Sequence, residues 1–133
     1  MPKAGANFLL IDTIENPWAI TSEAIERAKN SAGTTDTLFI LAHSILRPNP
    51  TEIANSLDGI PDPLPDNLAQ IAPLNDVYEN IFVVSGDTGA FGNRPAVECR
   101  VYENITFVSQ GLGVDEEIIL AIRGNQLFTL PLN

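Results

Sequence analysis

The sequence predicts a mainly β protein, a β-sandwich or small β-barrel of about six or seven strands, with one or two short helices and a proline-rich extended arm. Hydrophobic residues form 44% of the 133-residue chain, enough for one core. Short apolar or alternating runs bounded by turn-forming residues dominate the second half. Six of the 10 prolines lie between Pro48 and Pro73. We therefore predict a single domain, residues 1–133, with an acidic proline-rich arm or excursion at residues 47–74.

The first 46 residues contain signals for two strands and one helix. Residues 7–14 (NFLLIDTI) are typical of a strand that ends at the following proline. Thr21 or Ser22 can cap a helix whose apolar side is Ala24, Ile25 and Ala28. The apolar run LFILAHSIL, residues 38–46, favours a buried strand because turn signals bound it on both sides.

The proline-rich segment begins with a helix signal and then becomes extended. Asn49 and Pro50 suit a helix start, while the alternating prolines of residues 60–67 (IPDPLPDN) favour polyproline conformation. Asp66 can cap a second short turn that carries Leu68 and Ile71. This segment is too apolar for a free linker, so we expect it to pack on its own domain or on a neighbour.

The second half of the chain is predicted to be strands and turns. Residues 77–84 and 97–108 are expected to be strands, separated by a glycine-rich loop at residues 85–95. Residues 117–122 and 126–130 are expected to form a hairpin around Gly124 and Asn125.

An octet occurs twice in this half, as VYENIFVV at residues 77–84 and VYENITFV at residues 101–108. In both copies the Glu-Asn pair interrupts the alternation, which predicts a β-bulge at that point. A β-solenoid would require further copies one period away, and the segments there do not match. We therefore interpret the repeat as architectural.

The charge balance argues against nucleic acid and membrane partners. The chain has seven Lys and Arg against 17 Asp and Glu, a net charge of −10. Phosphate contacts depend on Lys and Arg, so this surface should repel polyanions. Such acidity either keeps the protein soluble or complements a basic partner.

The sequence also limits the compartment. One cysteine excludes an internal disulfide, and no apolar run has the length of a membrane span. The first residues lack the features of a signal peptide. We expect a protein made in the cytoplasm and not secreted, with the virion as a candidate destination.

Candidate catalytic and binding residues each have a structural explanation. His43 and Cys99 could form a thiolate–imidazole pair oriented by Asp87, but their apolar surroundings predict two buried structural residues. Trp18 is expected to fill the core. Three glycines in residues 86–92 suggest a phosphate loop, yet they lack a lysine and a following helix. Asp58, Asp62 and Asp66 lack the ligand spacing of a calcium loop. We predict no catalytic residue, cofactor or metal.

These observations predict a non-enzymatic assembly protein. It would oligomerise and bind neighbouring subunits, most naturally as a virion component such as a capsid decoration (cement) protein or a head–tail or tail structural protein. The alternatives are a cytosolic adaptor or regulatory module, and a small β-barrel enzyme or ligand-binding protein. The predicted partner interface consists of apolar anchors in the arm, with an aromatic residue at the glycine-rich loop that either folds back or contacts a partner. These residues are Ile60, Leu64, Leu68, Ile71 and Phe91.

Overall fold

The computed structural model describes residues 5–12, 18–46, 66–86, 97–110, 118–123 and 126–131. These residues contain two α-helices, α1 (Ser22–Ser31) and α2 (Asn67–Ile71), and a 3-10 helix at Ala72–Leu74. They also contain seven strands: β1 (Asn7–Ile11), β2 (Thr37–Ala42), β3 (Asn80–Ser85), β4 (Val97–Tyr102), β5 (Ile105–Gln110), β6 (Ile118–Arg123) and β7 (Gln126–Pro131). The predicted mainly β class is confirmed.

The first five strands form one mixed sheet in the order β1-β2-β3-β5-β4. Strands β1, β2, β3 and β5 are parallel, and β4 is antiparallel to β5 at the edge. Strands β6 and β7 form a separate antiparallel pair in which Arg123 lies opposite Gln126, so the predicted hairpin is confirmed. The sandwich or barrel arrangement of the whole chain stays a prediction.

Side-chain caps start both helices at residues the sequence identified. Thr21 Oγ1 accepts a hydrogen bond from the Ala24 amide at 3.2 Å, and Asp66 Oδ1 accepts one from the Ala69 amide at 2.9 Å. Each cap satisfies an amide that has no partner within its own helix.

The described helices lie on one face of the sheet. Successive parallel strands β1, β2 and β3 advance in one direction across the sheet, and right-handed crossovers in one direction put their helices on the same side. Both helices accordingly contribute to one core with the inward residues of the sheet. This core includes Ile25, Ala28, Leu38, Ile40, Ile71, Leu74, Ile81, Val83, Ile105 and Phe107.

Tyr78 links the end of α1 to the sheet. Its side chain is buried, and its hydroxyl donates to the Ala28 carbonyl oxygen at 2.8 Å and accepts from Asn7 Nδ2 at 3.0 Å. Asn7 Nδ2 and Thr34 Oγ1 both donate to the Ser31 carbonyl oxygen. These side chains satisfy carbonyls in the last turn of α1, which lack partners within a helix.

The repeated octet forms two neighbouring parallel strands. Ile81 of the first copy lies opposite Ile105 of the second, and the register continues to Val84 opposite Val108. The Ile81 amide donates to the Asn104 carbonyl oxygen at 2.9 Å, and Asn104 Nδ2 donates to the Tyr78 carbonyl oxygen at 2.9 Å. Equivalent positions of the repeat therefore face each other across the sheet.

The predicted bulges and the single long strand at residues 97–108 were wrong. Glu103 and Asn104 form a two-residue turn that joins β4 to β5, and Tyr102 pairs with Ile105 across it. Glu103 has a φ of 52°, the left-handed conformation such a tight connection requires. In the first copy, Glu79 is a bend just before β3 and Asn80 is the first residue of that strand. One dipeptide thus has two local roles.

The end of the predicted arm packs inside the domain. Residues 66–74 form α2 and the 3-10 helix, where Ile71 and Leu74 are fully buried and Leu68 packs against the core. Asn67 is also buried, and its Nδ2 donates to the Trp18 carbonyl oxygen at 2.8 Å. The arm residues 47–65 lie outside the described residues.

Candidate protein-association surface

The register divides the five-stranded sheet into two faces. One face bears the core described above. The other we call the aromatic face, because Phe8, Phe39 and Phe82 lie side by side on it with ring centroids 5.2 Å apart in each stacked pair. Apolar and small side chains also follow this face in the described register, among them Leu10, Leu41, Val84, Thr106, Val108, Cys99 and Val101.

Exposure on the aromatic face is concentrated on its outer strands. Phe82 and Val108, on the inner strands, are buried. On β1, by contrast, Phe8 is 63% exposed and Leu10 76% exposed, and Val101 on β4 is 65% exposed. Exposed apolar side chains that lie together, as Phe8 and Leu10 do on β1, are typical of a surface that another protein covers.

The two edges of the sheet differ in their protection. Edge strands that carry charges resist pairing with other chains, and β4 carries Glu98 and Arg100, whose side chains lie 3.5 Å apart. Strand β1 (NFLLI) contains no charge and no proline, and among the described strands it pairs with β2 alone. We call its outer side the β1 edge. It is the edge more open to strand addition.

A groove of about 340 Å³ lies beside the β1 edge. One wall is formed by residues 9–12, and the other by Thr21, Glu23, Ala24 and Arg27 at the start of α1. Arg27 Nη2 and Glu23 Oε1 are 2.6 Å apart, and both side chains are about three-quarters exposed. Because both side chains are exposed, their charges are accessible to a partner. Such an exposed ion pair contributes little to the stability of the chain itself.

His43 and Cys99 are not buried, contrary to the sequence-based expectation. His43 lies exposed just beyond β2, where its carbonyl oxygen accepts from the Gly86 amide at 3.1 Å. Cys99 lies exposed on β4, because the register with β5 puts Glu98, Arg100 and Tyr102 on the helix-covered face instead. Cys99 thus lies on the aromatic face and His43 beyond the end of β2. Asp87 lies outside the described residues.

We expect Cys99 to react slowly with alkylating reagents near neutral pH. Partial burial by neighbouring atoms raises the pKa of its thiol above the ordinary value of 9.0, and only the thiolate is nucleophilic. The labelling rate of the folded chain should therefore reach half its maximum at a pH above 9.0. Because the chain has a single cysteine, mass spectrometry can follow it directly. The urea-unfolded chain is the control, and an equal midpoint in both states would contradict the prediction.

The carboxyl ends of the parallel strands are the usual ligand position in such sheets. Here Ser85 at the end of β3 is buried, and its hydroxyl has no hydrogen-bond partner among the described residues. Ser109, its neighbour on β5, is also buried. Within the described part of the chain, no three His, Cys, Asp or Glu side chains are grouped to hold a metal ion.

The predicted interface residues fall into two groups. Ile71 is fully buried and Leu68 packs against the same core, so both contribute to packing within the chain. Ile60, Leu64 and Phe91 lie outside the described residues, and their predicted contacts stay predictions. Sequence analysis missed Phe8 and Leu10. The absence of charge in NFLLI was the available signal, but it equally fits a buried strand.

No protein-family model matches this chain, and no curated protein or solved structure is significantly similar to it. The helices α1 and α2, ten and five residues long, both fall short of the length that a bilayer crossing needs, and the described residues contain no helix that meets it.

Proposed function

We propose that this chain is a non-enzymatic assembly protein that self-associates and binds neighbouring protein subunits through the apolar margin of its sheet. The observation that carries this proposal is the exposure of Phe8 and Leu10 on an edge strand that has no charge. Covering them would remove large apolar surfaces from water, at roughly 25 cal/mol for each Å². The predicted virion context is a narrower hypothesis about where such a protein acts, and a cytosolic adaptor or regulatory module is the alternative function.

The charge of the chain shapes this association. Each copy carries a net charge of −10, so two copies repel each other at long range. The contact must therefore be apolar or locally complementary in charge. Strand β1 meets the first condition, and the Glu23–Arg27 pair beside it meets the second.

We expect the full chain to form a defined oligomer that becomes more stable as salt is added. Salt screens the repulsion between acidic copies and leaves apolar contacts in place. Light scattering coupled to size-exclusion chromatography, over a concentration series at low and high sodium chloride, measures both effects.

Oligomer formation that increases with concentration and with salt supports the proposal. A mass of 14.4 kDa, one chain, at every concentration and salt level would overturn it.

A further inference from the structure

We infer that the β1 edge pairs with the β1 edge of a second copy, antiparallel and centred on Leu9, to join two five-stranded sheets into one. This inference depends on the proposed self-association and specifies its surface and geometry. A two-fold contact requires a surface that is complementary to itself. Strand β1 meets that requirement.

The residues of β1 are matched about its centre. In antiparallel pairing centred on Leu9, Phe8 of each copy lies opposite Leu10 of the other, and both lie on the aromatic face. Two-fold symmetry produces the Phe8–Leu10 contact twice, and Leu9 of one copy lies opposite Leu9 of the other. Asn7 lies opposite Ile11. The pairing thus covers the two most exposed apolar side chains of β1 with each other.

The charges on the two edge strands favour pairing through β1 over pairing through β4. Strand β4 carries Glu98 and Arg100, whereas no charged side chain of β1 must lose water on pairing. Backbone hydrogen bonds between two β1 strands would satisfy polar groups that the described sheet leaves on its outer side.

The groove beside the strand is also complementary to itself in charge. It carries the Glu23–Arg27 ion pair on the part of α1 that lies next to β1, together with a second acid, Asp12, just after the strand. Two-fold symmetry brings the same groove from each copy to the interface. Arg27 of one copy can then pair with Glu23 of the other, which offsets part of the repulsion between two acidic chains.

The pairing would extend the aromatic face across the dimer. Within one copy, the rings of Phe8, Phe39 and Phe82 stack in order from β1 to β3. Joining two β1 edges puts these two sets of three rings on one continuous apolar face. Phe82 is already buried within each copy, so the pairing covers the exposed Phe8 end of each row of rings.

Two charge substitutions test the pairing and its register. Phe8→Lys and Leu10→Glu should each raise the dimer dissociation constant at least about tenfold, because each puts two charges against apolar partners in the homodimer. Mixing the two variants should restore association, since the mixed dimer has one new ammonium–carboxylate contact and one native Phe8–Leu10 contact. Val101→Lys, on the opposite edge of the same face, is the matched control and should leave the dimer unchanged.

Analytical ultracentrifugation of each variant and of the mixture gives the result, with circular dichroism to confirm folding. If either charged variant fails to fold, Phe8→Thr and Leu10→Thr, which keep strand-forming residues, replace them and should also weaken the dimer. A wild-type oligomer that neither substitution weakens would overturn β1 pairing while self-association stands. Loss in both variants without recovery on mixing would overturn the antiparallel register. A wild-type monomer would instead overturn the proposed function itself.

Discussion

Replacing Ile81 by alanine is expected to lower the free energy of unfolding by about 3–4 kcal/mol, a large part of the stability of a domain of this size. Ile81 has no exposed surface and occupies the middle of the sheet. Its register neighbours, Leu38 on β2 and Ile105 on β5, are also buried on the helix-covered face. Truncation would leave a cavity that three strands and a helix layer cannot close without moving.

Urea unfolding at one fixed protein concentration measures this effect as a lower midpoint with an unchanged slope. Val77→Ala is the matched control, because Val77 belongs to the same repeated octet but lies in an exposed turn. Its effect should stay within about 0.5 kcal/mol. The double variant Ile81→Ala with Ile105→Ala should show a coupling energy of about 0.5 kcal/mol or more, since the two side chains share one site. Equal costs for Ile81→Ala and Val77→Ala would contradict the burial of Ile81 in the core, and the absence of coupling with Ile105→Ala would contradict the in-register pairing of the two octets.

Replacing Tyr78 by phenylalanine is expected to cost about 2 kcal/mol, although it removes a single oxygen atom. The loss leaves the Ala28 carbonyl oxygen without its donor and removes the acceptor at 3.0 Å from Asn7 Nδ2. Both contacts tie the last turn of α1 to β1 and to the segment before β3. A buried polar group without a partner costs more than the average hydrogen bond contributes.

Tyr102→Phe provides the control for this substitution. Tyr102 is half-buried and packs edge-to-face on Phe107, with ring centroids 6.2 Å apart. Its hydroxyl has no hydrogen-bond partner among the described residues, so its removal should change stability by less than about 0.5 kcal/mol. Thermal and urea unfolding of both variants compare the two directly. A Tyr78→Phe variant as stable as Tyr102→Phe would mean that the hydroxyl of Tyr78 does not hold the end of α1.

The proposed association explains why strand β1 is apolar on both sides although the described helices cover only one face of the sheet. Parallel sheets are usually covered on both faces, and their strands are then apolar on both sides. Strand β1 has that composition, yet the described crossover helices cover one face only. Phe8 and Leu10 therefore have the composition of core residues and the exposure of surface residues. A second copy resolves this mismatch by covering them.

Sequence patterns predicted the features of this protein that depend on neighbouring residues. The caps at Thr21 and Asp66 were recognisable because a cap requires one side chain and an amide three residues later. The hairpin of β6 and β7 was recognisable because a two-residue connection with glycine is a local signal. The existence of the strands followed from short apolar runs in the same way.

Tertiary structure alone decided strand order, strand direction and which side of each strand is buried. Alternation in β4 indicated two faces, but the antiparallel register with β5 determined that Tyr102 points to the core and Cys99 away from it. The Glu-Asn dipeptide became a turn in one copy of the octet and the start of a strand in the other, because each copy meets different neighbours. The physical reason is that pairing and burial arise between segments far apart in sequence, and a local pattern does not specify which segments meet.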